Sequence, residues 1–227
     1  MTQLVEVQCV GVTALADSIF EVRLQAEHYV PYQAGQYLQI LLGEDEVSFS
    51  IAHAPQAPYY VLHIRYNEGV SSTQALFDLL RSGASFFIRV PLGHCHVGQL
   101  LPEKPVLCIA AGTGFAPVHA MLQSLLTQPS MSNIVVVWIV RNEVDFYARD
   151  ALQVWEKNHP PLKVIYRLSS DYIDSAQEWL DSVETIDWAQ MQVVIAGPFD
   201  MAIQLRAKVL SFGVSPHALW SDAFEIY

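Results

Sequence analysis

A chain of 227 residues and 25.4 kDa can hold one large domain or two small ones around a sizeable core. With 52% hydrophobic and 15% charged residues it is not a disordered chain. Twelve basic against 23 acidic residues give a net charge of -11, which opposes nonspecific attraction to nucleic acid or acidic membrane surfaces.

No apolar run reaches the roughly 20 residues that span a bilayer, and MTQLVEVQ has neither a basic region nor a cleavage site, so the chain reads as cytoplasmic. Cys9, Cys95 and Cys108 are scattered without metal or redox spacing, which fits buried thiols in a reducing compartment and leaves no set for an iron–sulfur centre.

Up to about residue 100, apolar and polar residues alternate at a period of two. LVEVQCV, then Phe20, Val22 and Leu24, then Leu38, Ile40 and Leu42, then Leu62, Ile64 and Tyr66, then Phe86, Ile88 and Val90 each present one apolar face. Pro31, Gly35, Gly43, Pro55, Pro58, Gly83 and Gly93 punctuate them. About six short strands at this spacing predict a small antiparallel barrel or sandwich. One helix interrupts: Ser71 or Ser72 caps TQALFDLLRSG, with Leu76, Leu79 and Leu80 on one face and Gly83 at its end. Two stretches depart from strand grammar. EVSFSIAHAP sets Phe49 between Ser48 and Ser50, and EGVSS puts Gly and Ser at a helix start; each reads equally as a turn.

The grammar changes near GQLLPEK, residues 98–104, dividing the chain into domains 1–100 and 101–227. The apolar runs VLCIAA, IVVVWIV, KVIYRLS and QVVIAG then alternate with the helical patterns APVHAMLQSLLTQ, RDALQVWEKNH, SAQEWLDSVE and DMAIQLRAKVLSFG. That alternation predicts a parallel α/β sheet covered on both faces. In such sheets ligands bind at the carboxyl ends of strands, which selects three loops: Ala111 to Pro117, Arg141 to Asp145, and Gly197 to Met201.

The rest is organised around PVLCIAAGTGFAPVHAM. Its apolar run breaks at Gly112-Thr113-Gly114 into a helix, and small residues there let the backbone turn and approach a ligand. Amides at the helix start and the positive end of its dipole favour the phosphates of a dinucleotide, and Pro117 fits the first turn. The same Gly-x-Gly also suits an S-adenosylmethionine enzyme. AGPFDM repeats the device with Gly197 and Pro198, and Asp200 can cap its helix. Arg141 can meet a nucleotide phosphate or ribose, or be a solvated loop end.

Taken in order, AGQYL, the aromatic-Ser pair, the Gly/Ser helix start, AAGTGFAP, AGPFDM and the terminal SDAFEIY resemble the ferredoxin–NADP reductase superfamily. Nearly the whole chain looks like its short NAD(P)H:flavin oxidoreductases. The resemblance implies a flavin-binding β-barrel followed by an α/β NAD(P)H-binding domain, a ferredoxin reductase-like fold. It implies that Phe49 and Ser50 flank the isoalloxazine ring, with the Ser50 hydroxyl near flavin N5 as the catalytic contact. His63, Ile64 and Arg65 then lie along the flavin strand, and Ser72 lies at the helix start. Gly112, Thr113, Gly114, Phe115 and Pro117 form the nicotinamide-nucleotide motif, joined by Arg141. Gly197, Pro198, Asp200 and Met201 form the second one, and Asp222 and Phe224 the chain end beside the flavin. Tyr227 resembles a terminal aromatic that covers the ring, but Phe224 aligns better.

The family's barrel motif begins with an arginine that pairs with flavin phosphate; here that place is Val47. Losing one charge-assisted contact of about 1.5–3 kcal/mol implies a weakly held flavin (FAD, FMN or riboflavin) that comes and goes. Arg65 could partly replace it, or be a surface arginine. Hydride transfer from NADH or NADPH needs orientation and exclusion of water more than a base. Reduced flavin would pass electrons to oxygen, to a ferric acceptor or to a flavin-dependent oxygenase.

Two competing readings remain. A methyltransferase would place acidic residues where Cys108 and Arg141 stand, and a nucleotide-binding regulatory module would lack turnover. His94, Cys95 and His96 are adjacent in sequence and cannot easily wrap one ion, so no metal site is expected. His53, His63 and His119 read as structural, Glu143, Asp145 and Asp150 as a solvated acidic loop, and Trp138, Trp155, Trp179, Trp188 and Trp220 as packing residues.

Overall fold

The computed structural model describes residues 1–128 and 132–226, and the two grammars of the sequence become two sheets. The first holds β1 (Gln3–Ala16), β2 (Ile19–Ala26), β3 (Tyr37–Leu42), β4 (Asp45–Ser50), β5 (Tyr59–Arg65) and β6 (Ser85–Leu92). Antiparallel pairing runs β4-β3-β6-β1-β2-β5. A bridge from Ile51, just past β4, to Leu62 on β5 joins the two outer strands and closes the sheet into a barrel. The alternating apolar residues, among them Val22, Leu24, Leu38, Ile40, Ile88 and Val90, fill its core.

Helix α1 (Ser71–Arg81) adds Leu76, Phe77 and Leu80 to that core, with Leu79 packed at its margin. It begins one residue earlier than the serines require: Val70 occupies the cap position, with no side-chain cap bond. Ser71 and Ser72 therefore fall inside the first turn and are exposed, so the expected serine cap is not formed.

The second sheet is parallel, ordered β11-β10-β7-β8-β9. Its strands are β7 (Val106–Ala111), β8 (Ile134–Val140), β9 (Leu162–Leu168), β10 (Gln192–Ala196) and β11 (Leu219–Trp220). Helices α2 (Phe115–Leu125), α3 (Arg149–Asn158), α4 (Tyr172–Ser182) and α5 (Phe199–Ser211) connect them. Cys108 and Ala110 face the cluster of α2 and α3, whereas Leu107, Ile109 and Ala111 face that of α4 and α5. A strand covered on both faces has no polar side, which is why VLCIAA is apolar throughout. All five tryptophans pack into these two clusters. The chain runs outward from β7 through β8 to β9, then α4 returns it to β10 on the other side of β7. Strand order reverses there, and the crevice at such a reversal is where open α/β sheets take ligands.

The two halves meet along β5. Leu62 and Ile64 enter the barrel core as the period of two requires, but Val61 and His63 are buried too, because the second half covers the outer face. His63 Nδ1 lies 3.1 Å from the Tyr147 hydroxyl. The Ala54 amide donates to Gln123 Oε1 at 2.8 Å, and His119 Nδ1 lies 2.7 Å from the Ala52 carbonyl. Arg65 Nη2 pairs with Asp145 Oδ2 at 2.9 Å. Asp145, expected in a solvated acidic loop, is thus buried at the seam with its own counter-ion. Among the described residues no helix is long and apolar enough to cross a membrane.

Candidate active site

A cleft of about 540 Å³ opens between the halves, within the range of small-molecule sites. Its barrel wall is Ser48, Phe49 and Ser50 from β4 with His63, Arg65 and Asn67. Facing them are Gly112, Thr113, Gly114, Pro117, Arg141, Tyr172, Gly197, Pro198 and Asp222. The two motifs that the sequence singled out from opposite halves therefore line one space.

The nucleotide wall is built by close approach. Gly112 has φ +54°, so the chain turns there at little steric cost, and a short 3-10 turn through Gly114 leads into α2. A Cβ on Gly114 would lie 2.5 Å from the Ala196 carbonyl oxygen and 2.7 Å from Gly197 Cα. Only glycine lets the first glycine loop pack on the second. Trp138 Nε1 donates to the Gly112 carbonyl at 3.0 Å, and Phe115 stacks on Trp138 at 4.0 Å, bracing the turn from below. Ala116 and Pro117 at the start of α2 line the cleft beside this turn, and the positive end of the helix suits an anionic pyrophosphate. Exposed Arg141, which forms no ion pair among the described residues, has its guanidinium 5.1 Å from the Tyr172 ring centre.

The barrel wall fits a planar ring better than a phosphate. Phe49 and Ser50 are half-buried, with Phe49 packed against the barrel core. The one Lys or Arg among the described barrel residues of the cleft is Arg65, and its guanidinium is engaged by Asp145 and by Ser18 Oγ at 2.9 Å. Burial, with help from the neighbouring His119 and His53, pushes the His63 imidazole down to about 3, so His63 presents a neutral ring to the cleft. Burial likewise raises the Tyr147 phenol beside it.

Of the predicted site residues, Phe49, Ser50, His63, Arg65, Gly112, Thr113, Gly114, Pro117, Arg141, Gly197, Pro198 and Asp222 come together in the cleft. Six do not line it. Ile64 points into the barrel core, opposite His63, because strand neighbours face opposite sides. Phe115 and Met201 are fully buried under their glycine loops. Ser72 and Asp200 are exposed; Pro198 takes the cap position of α5, so Asp200 caps nothing. Phe224 packs on α5, with Arg206 Cζ 5.4 Å from its ring centre. Tyr227 lies outside the described residues. Sequence reasoning missed Tyr172, although it begins the helix after β9, where Asp171 Oδ1 caps the amides of Ile173 and Asp174. The carboxyl-end rule that chose the other loops applies equally to this one.

The model of the oxidoreductase NAD-binding domain matches residues 108–206. Reductase component 1 of terephthalate 1,2-dioxygenase from Comamonas sp is 32% identical over 152 residues, 65% of this chain but only 44% of that protein. An Amycolatopsis cytochrome P450 reductase shares the fold, with a TM-score of 0.81 at 20% identity over 97% of this chain and 69% of its own. The NAD(P)H-flavin reductase of Vibrio harveyi is 30% identical over 215 residues, 87% of this chain and 88% of its own length. A match of that extent, on a barrel and parallel sheet that meet at a switch-point cleft, makes this chain a member of the NAD(P)H-flavin reductase branch of the ferredoxin–NADP reductase superfamily.

Proposed function

We propose that the chain transfers a hydride from NADH or NADPH to a flavin (riboflavin, FMN or FAD) that enters and leaves the cleft. The observation that carries this reading is that Phe49 and Ser50 share one cleft with Gly112, Thr113 and Gly114. Bound flavin supplies the two-electron acceptor that no side chain offers. Ser50 donates its hydroxyl hydrogen bond to orient the ring, and Phe49 shapes the ring pocket. The turn from Gly112 to Gly114 and the start of α2 hold the dinucleotide phosphates, while Arg141 on Tyr172 supplies the free positive charge. Most of the rate comes from this orientation and from water excluded between the two walls.

With Val47 in place of a cation and Arg65 engaged by Asp145, flavin phosphate gains little at the barrel wall. Flavin is therefore a loosely held partner, and its reduced form goes to a ferric acceptor or a flavin-dependent oxygenase. The dioxygenase reductase among the relatives supports an oxygenase as one such consumer. Domains 1–100 and 101–227, divided near residues 98–104 between β6 and β7, and a cytoplasmic location complete the proposal. A barrel wall facing the glycine loop gives a methyltransferase nothing to use, and Arg141 stands where that class places an acid.

The test is steady-state oxidation of NADH and NADPH by protein purified without flavin, with riboflavin, FMN and FAD added in turn. Flavin-dependent turnover is expected. Its absence with all three flavins would leave only a nucleotide-binding module.

A further inference from the structure

Three histidines from three segments converge at the seam between the halves. His53 follows β4, His63 lies on β5 and His119 on α2, and one ring nitrogen of each lies within 4.8 Å of those of the other two. His63 and His119 are 6% and 7% exposed, and their rings and that of His53 have centres 5.1 to 5.9 Å apart.

We propose that His53, His63 and His119 form a site for a divalent transition-metal ion, with zinc(II) the best match, which clasps the barrel to the nucleotide-binding domain. The hydrogen bonds around the rings assign the ligand atoms. A carbonyl oxygen can only accept, so His119 Nδ1, 2.7 Å from the Ala52 carbonyl, carries the proton and leaves Nε2 free. His63 Nδ1 faces the Tyr147 hydroxyl at 3.1 Å and also leaves Nε2. His53 turns Nε2 toward Glu21 Oε2 at 3.5 Å and leaves Nδ1, which is buried with no hydrogen-bond partner among the described residues.

A carbonyl, a hydroxyl and a carboxylate thus each hold the outer nitrogen of one ring, the arrangement that orients metal-binding histidines. Three rings packed only for bulk would be better served by apolar side chains than by imidazoles with an orphaned nitrogen. His63 and His119 are buried, and burial favours the neutral imidazole that metals bind. Zinc–nitrogen bonds of about 2.0–2.1 Å set tetrahedral ligands roughly 3.3 Å apart, so nitrogens within 4.8 Å of one another need to close by about 1.5 Å at most. His53 lies between strands and can make that adjustment. Imidazole ligands suit zinc, copper and nickel rather than magnesium or calcium. His63 also lines the cleft, which gives the ion a way in. The expectation of no metal site looked at His94 to His96, adjacent in sequence; this triad is assembled from residues 10 and 56 positions apart by folding alone.

The test uses the full chain, stripped of metal by chelation and kept free of flavin, so its outcome is independent of reductase activity. Zinc(II) is titrated by calorimetry and by competition with a chromogenic chelator. The expected result is one ion per chain with a Kd below about 1 μM and a rise in Tm on saturation. His53→Asn and His119→Gln are each expected to weaken binding about 100-fold or more and to abolish the rise in Tm. Glu21→Gln, whose carboxylate touches no ion but holds His53 through Oε2 while Oε1 meets exposed Arg23 at 3.4 Å, is expected to weaken it about 10-fold. Circular dichroism checks that each variant is folded, and should both histidine variants unfold, the Glu21→Gln result decides. Binding weaker than about 100 μM, or an affinity unchanged in the folded variants, would overturn the proposal.

Discussion

Arg65, the last residue of β5, and Asp145, in the loop after β8, meet at 2.9 Å across the seam, with Asp145 only 4% exposed. A carboxylate this buried is tolerable because the guanidinium reaches it, and Ser18 Oγ holds the guanidinium from the other side at 2.9 Å. The pair fixes how the barrel wall of the cleft faces the nucleotide wall. It also leaves the Arg65 guanidinium already engaged on two sides.

Arg65→Ala is expected to destabilise the chain by about 3 kcal/mol, the low end for breaking a buried pair, since the arginine reaches solvent at one edge. The double variant Arg65→Met with Asp145→Leu removes both charges and is expected to recover most of that loss. Urea unfolding of the three proteins checks it; a single variant as stable as the parent would show that the pair holds nothing together.

Ser50→Ala is expected to lower kcat about 10-fold or more, because the hydroxyl acts on the ring as charge arrives there and not on the dinucleotide. The KM for NAD(P)H is then expected to stay within about twofold. Stopped-flow and steady-state rates with a saturating flavin separate the two. A raised KM at unchanged kcat would move Ser50 out of the hydride path.

Gly114→Ala forces a Cβ to within 2.5 Å of the Ala196 carbonyl oxygen, and backbone on both sides leaves it nowhere to go. Prising the two glycine loops apart is expected to cost about 1–3 kcal/mol and to raise the KM for NAD(P)H about 10-fold. Gly11→Ala is the control: its added Cβ meets nothing nearer than 3.9 Å. Thermal melts and NADH titrations of the pair would show the contrast, and equal effects would refute the contact.

Burial pushes the Cys108 thiol up to about 12, in the middle of fully buried β7. Only the thiolate is alkylated, and at pH 8 its fraction is on the order of 10⁻⁴. Iodoacetamide at pH 8 is therefore expected to leave Cys108 unmodified in native protein and to label it in urea, as peptide mass spectrometry would show. Labelling of the native chain faster than it unfolds would place Cys108 in an open strand.

The cleft's two walls were legible in sequence because each rests on local rules. Gly112 and Gly114 announce a turn wherever an apolar run ends, and Phe49-Ser50 stood out from the strand pattern around it. Even so, the family resemblance places Ile64 and Phe115 at the site, although both face the core, as periodicity alone requires of Ile64. A motif spans consecutive residues, and a strand or helix can offer only some of them to one side.

Taken alone, the amino-acid order determined the two architectures, since a period of two and fully apolar runs each permit one kind of sheet. It also determined the turn at Gly112, which a residue with a Cβ makes only with strain. Tertiary structure alone decided the seam. Whether the outer face of β5 meets water or another domain depends on contacts between residues tens of positions apart, which no local pattern encodes. That contact buried Asp145 against Arg65 and gathered His53, His63 and His119 within 4.8 Å, turning residues that read as solvated or merely structural into the joint on which the cleft is built.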